Sequence, residues 1–128
     1  MKPNQQLSNK DKAVSFLELV VAGEVRVAFD KYIGENFLHH NPYFKGDRDS
    51  LMVAMEENEE TAPDKIFDVK RVIEDGEEVA VHSHIKQNPE DLGAAVVHIF
   101  RFQDGRIVEA WDIGQAVPED SPNENGVF

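Results

Sequence analysis

The chain has 128 residues, with 13 Lys+Arg against 25 Asp+Glu and a formal net charge of −12. That length suits one domain with a substantial core and not two, and 41% apolar with 9% aromatic residues describes a globular chain. A field of that sign repels phosphate backbones and anionic lipid, which sets aside nucleic acid and membrane surfaces as partners, and the lack of cysteine excludes a disulfide framework, thiolate catalysis and cysteine-ligated zinc.

Residues 1–7 are polar, without the apolar segment of a secretory signal, and are expected to form a loose tail. No run approaches the roughly 20 apolar residues of a membrane helix, so a cytoplasmic protein is expected. Ser8 caps a first helix, with Asp11 in capping-box position. Ala13, Phe16, Leu17, Val20 and Val21 make its apolar stripe, and Gly23 ends it. Val25, Ala28, Phe29, Tyr32 and Ile33 form a second helical stripe, stopped by Gly34. The segment from Phe37 to Gly46 reads as irregular, with Asn41-Pro42 forcing an extended or turned chain. A third helix starts near Asp47 and carries Leu51, Met52 and Met55.

After Pro63 the apolar period becomes two. Ile66–Ile73, Val79–Gln87, Ala94–Phe102 and Ile107–Gln115 read as strands, with hairpin signals at Asp75-Gly76 and Asp104-Gly105. The expected architecture is α+β: three helices, then an antiparallel meander, in one domain over residues 1–128 with 116–128 as a C-terminal tail. The third and fourth strands are apolar on both faces. Helices cover one, and a second copy of the chain is the simplest cover for the other, so a homodimer through the sheet is expected.

Histidines and one carboxylate carry the chemistry. His82 and His84 share a strand face as a polar pocket pair, a metal pair or two solvent-facing side chains. His98 lies mid-strand among apolar residues, as a pocket or a hydrogen-bonded core residue. Asp112 follows Trp111, the only tryptophan, on the last strand, where an apolar setting suits a general acid or base. With a three-residue Gln103–Gly105 loop, residue 98 faces residue 110, and 112 is one step further on the same face. A two-residue loop shifts that register, and the sequence leaves both open. His39 and His40 precede Asn41-Pro42 near the expected cavity mouth, or on a surface turn. Tyr32 and Tyr43 are candidate oxyanion donors, Phe100 and Trp111 candidate contacts for an apolar substrate, and Arg101 and Glu109 belong to the opposite face from Asp112.

Taken together, His40-Asn41-Pro42, Val81-His-Ser-His84 and Ile99-Phe-Arg-Phe102, leading through Asp104-Gly105 to Ile107-Val-Glu-Ala-Trp-Asp112, resemble the SnoaL-like polyketide cyclases of the nuclear transport factor 2-like superfamily. The ending Asn123-Glu-Asn-Gly-Val-Phe128 is similar to the tail of a bacterial branch of predicted aldol-condensation enzymes. The resemblance implies a curved sheet wrapped round three helices, an apolar cavity and dimerisation through the sheet. It also implies acid/base ring closure by a pocket aspartate without metal, Schiff base or organic cofactor. That role falls on Asp112, with His40, His82 and His84 lining the cavity. Where relatives read Asp-Ile-Phe-Arg and Glu-His-Trp-Asp, this chain has His98 and Ala110, as though an imidazole had crossed the strand pair.

The expected function is therefore lyase- or isomerase-type chemistry on a small apolar carbonyl metabolite. Asp112 would move a proton alpha to the carbonyl, assisted by His98 and His84. A non-catalytic small-molecule-binding module and a metal site built from His40, His82, His84 or His98 are the alternatives.

Overall fold

In the computed structural model, residues 7–128 are described, so all but Leu7 of the expected N-terminal tail lies outside the described residues. Ser8 caps α1 (Asn9–Val21) by accepting the Asp11 N–H at 3.2 Å, and Gly23 ends the segment at φ +88°, a conformation that disfavours side chains. α2 (Val25–Tyr32) follows and buries Val25, Ala28, Phe29 and Tyr32. α3 (Arg48–Thr61) begins where Asp47 accepts the Ser50 N–H at 3.0 Å, and buries Leu51 and Met52.

Between α2 and α3 the chain departs from expectation. Ile33 does not finish a helix, and Phe37 does not open an irregular stretch. Ile33–His39 form a strand, β1, paired parallel to the last strand. Its alternation is broken by an irregularity between Ile33 and Leu38, so the local pattern carries no clean period of two. Its partner is some seventy residues away in sequence. The other strands run as expected: β2 (Ile66–Asp75), β3 (Glu78–Lys86), β4 (Ala94–Gln103) and β5 (Arg106–Ala116). The sheet order is β1-β5-β4-β3-β2, antiparallel except for β1 against β5.

The three helices pack on the inner face of this sheet. Val79 and Val81 of β3, Phe100 and Phe102 of β4, and Ile107 and Ala110 of β5 meet Phe16 and Phe29 there. The Phe16 ring stands edge-on to Phe29 and Phe100 at centroid distances of 5.6 and 5.8 Å. Truncating Phe16 would cost about 3–5 kcal/mol on the scale of buried aromatic deletions. The residues after β5 return over the outer face, where the Phe128 ring lies 4.6 Å from that of His84 and 5.7 Å from that of His82. No helix among the described residues is long and apolar enough to cross a membrane.

Candidate functional site

A β-bulge sets the alignment of the candidate site. Asp104 and Gly105, at φ +53° and +78°, form a two-residue turn that pairs Gln103 with Arg106. Continued unbroken, that register would bring Trp111 opposite His98. One extra residue, Val108, is instead taken up between the Phe102–Ile107 and Arg101–Glu109 pairs. Every later pair moves by one, so Phe100 faces Ala110 and His98 faces Asp112. Directly opposed residues share a face, with Cβ atoms about 4.5–5.5 Å apart. The three-residue loop with 98 opposite 110 is thus corrected, and with it the notion that the imidazole occupies the position across from Ala110.

The loop after β1 supplies the next two groups. His39 is buried (7% exposed), not on a surface turn. Its Nδ1 accepts the Asn41 backbone N–H at 3.1 Å, which puts the proton on Nε2, and Nε2 donates to the Lys45 carbonyl at 2.9 Å. The ring therefore pins both ends of the turn. Asn41 Oδ1 accepts the Tyr43 N–H at 3.0 Å, an Asx turn, and this leaves its amide to donate from Nδ2 to Asp112 Oδ2 at 3.0 Å. In the sequence Asn41 stands out as a chain bender and as the middle of His40-Asn41-Pro42. Its turn chemistry was visible in Asn-Pro, but its partner, 71 residues away, was not.

His98 stacks on Phe100 at 5.9 Å, and its Nδ1 is buried without a hydrogen-bond partner among the described residues. Desolvation pushes its pKa down to about 4, against the opposing attraction of Asp112. The imidazole is consequently neutral at pH 7, a hydrogen-bonding group rather than a cation. His98, Asp112, Asn41 and His39 line a cavity walled by Phe16, Leu17, Phe37, Leu51, Met55 and Phe100. For water-sized contents it holds only about 40 Å³, a few water molecules at most. Asn41 and Asp112 also border a wider groove of about 260 Å³ with Pro42, Tyr43, Val96, Ile113 and Gly114. The two side chains stand at the wall common to both spaces.

Several of the remaining expected site residues lie elsewhere. His84 pairs with Ala95 on the outer face, and its Nε2 bonds the Leu92 carbonyl at 2.8 Å, so it does not converge on Asp112. His82 shares that face and contacts Arg71. The parity that put these two histidines together was right, but it placed them away from the helices. His40 also lies outside: it stacks on the Trp111 ring at 5.0 Å and bonds Glu109 at 2.7 Å. His40 and then Arg101, both hydrogen-bonded to Glu109, hold its carboxyl below the usual range. Trp111 borders the cavity, but by strand alternation its ring belongs to the outer face. Tyr32 is buried against Ser15 Oγ at 2.9 Å and is no cavity donor, while Tyr43 is 85% exposed at the groove. Phe100 does line the cavity. Among the described residues, no three His, Asp or Glu side chains are grouped to hold a metal ion.

Comparison with known proteins is consistent with this architecture. The family model described as SnoaL-like domain matches residues 13–110, ending two residues before Asp112. No curated protein matches the sequence. Among solved structures, an NTF2-like protein of unknown function from Cytophaga hutchinsonii superposes with a TM-score of 0.72 at 20% identity, covering 90% of this chain and 95% of that one. IdmH from Streptomyces antibioticus, a candidate polyketide cyclase, gives 0.70 at 18% identity, covering 85% and 93%. A candidate isomerase of the SnoaL-like family from Agrobacterium tumefaciens gives 0.71 at 13% identity, covering 86% and 100%. At such identities these likenesses establish the fold alone.

Proposed function

The chain belongs to the SnoaL-like domain family, and we propose that it is an acid–base enzyme of cyclase or isomerase type acting on a small carbonyl compound. One observation carries the reading: a carboxylate clamped by an asparagine amide lies directly across a strand pair from a neutral imidazole, in an apolar cavity. The Asn41 bond engages one oxygen of Asp112, and the other is the one to exchange a proton. Asp112 takes a proton from the carbon alpha to the carbonyl and later returns it. The enolate oxygen accepts a hydrogen bond from the neutral His98 ring, which needs no charge for this task. A positioned acid/base contributes on the order of 10²–10⁴-fold, enough for an activated dicarbonyl substrate. The narrow interior admits the reacting carbonyl, and the bulk of a larger substrate lies in the groove beside Tyr43 and Ile113.

Deuterium exchange at the alpha carbon of a small β-dicarbonyl compound, followed by NMR in D₂O, tests this. The wild-type protein should exceed buffer, and Asp112→Asn should lose about 10²-fold or more while still binding the compound. The small cavity also favours a second reading, a non-catalytic binding module. Binding of the probe without exchange by wild-type protein would decide for that alternative.

A further inference from the structure

Among the described residues, two polar atoms on the inner face are buried without a hydrogen-bond partner: Ser83 Oγ and His98 Nδ1. Ser83 is 0% exposed and sits on β3 between Val81 and Ile85, opposite Val69 on one side and Val96 on the other. An unsatisfied hydroxyl in such a setting is destabilising. Val81 pairs with His98, so Ser83 is the diagonal neighbour of the imidazole, on the flank away from Asp112. Diagonal neighbours lie within reach of a ring side chain.

We propose that Ser83 is the positioning residue for His98, its hydroxyl linked to Nδ1 through one buried water. The direction of the link follows from counting donors. If Nδ1 carried the proton it would donate to that water, and two hydrogens of the water and hydroxyl would remain orphaned among valines. If the hydroxyl donates to the water and the water to Nδ1, the hydroxyl hydrogen and the ring's lone pair are both satisfied. The proton of the neutral ring then sits on Nε2, and His98 presents an N–H as its remaining polar group. The consequence for catalysis rests on the acid–base reading above, because this tautomer is the one able to stabilise an enolate oxygen. The link itself does not depend on that reading.

Long-range ¹⁵N–¹H correlation of the histidine rings in the full-length, ligand-free protein near neutral pH measures the tautomer. Wild-type His98 should be the Nε2–H form. Ser83→Ala should shift the tautomer ratio by about fivefold toward Nδ1–H, while Ser83→Thr, which keeps a hydroxyl, should retain the wild-type ratio. An Nδ1–H ring in the wild type, or an unchanged ratio in Ser83→Ala, would overturn the proposal. Should Ser83→Ala fail to fold, the wild-type tautomer and Ser83→Thr still decide it. If the tautomer responds to Ser83 but Asp112→Asn leaves deuterium exchange unchanged, the positioning role stands and the enzymatic reading falls.

Discussion

Mild acid should destabilise this fold through His98, by an amount that can be worked out from its burial. In the unfolded chain an imidazole takes up its proton near pH 6.5, whereas in the folded protein desolvation delays this to about 4. Between those values the unfolded chain binds more protons, so stability rises with pH across the window. The contribution is complete above pH 6.5 and is lost progressively as the pH falls towards 4. At about pH 5 the unfolded state is favoured by a factor of about 30 from this group alone, or about 2 kcal/mol. That is a large share of the 5–15 kcal/mol that typically holds a small domain together. Urea unfolding at about pH 7 and about pH 5, on wild-type and His98→Gln proteins, isolates the term because the surface carboxylates are common to both. The wild type should lose about 2 kcal/mol more than the variant between the two conditions. Equal losses would refute the argument, showing that the imidazole is hydrated or holds its proton in the folded state.

Two further outcomes are expected. Asn41→Ala removes the donor to Asp112 Oδ2 and the acceptor of the Tyr43 N–H. It should cost about 1–3 kcal/mol by denaturation and speed hydrogen exchange at the Tyr43 amide, and unchanged protection there would count against the clamp. On the outer face Ile113 is 60% exposed beside the half-buried Val97, Ile99 and Trp111, so a second copy of the chain should cover it. Sedimentation should find a dimer that Ile113→Lys dissociates, and a monomeric wild type at high concentration would refute this.

Much of the molecule was legible along the chain because its causes are local. Ser8 announced the first helix by capping chemistry, the third was placed from near Asp47, Gly23 ended one by its backbone freedom, and the period of two after Pro63 marked the four antiparallel strands. Alternation also showed that Asp112 and Trp111 part company and that His82 and His84 stay together. Only the tertiary structure decided which face each set occupies. Alternation has no sign until the helices choose a side, and they chose the side of Val81 and Ser83, leaving His82 and His84 outside. The parallel strand β1 was hidden because its pairing partner lies at the far end of the chain and an irregularity interrupts its pattern. The juxtaposition of His98 with Asp112 depended on whether a bulge followed the Asp104-Gly105 turn. Turn residues specify the turn itself, but Val108 is an ordinary strand residue, and it bulges because of the register that packing imposes on both sides of it.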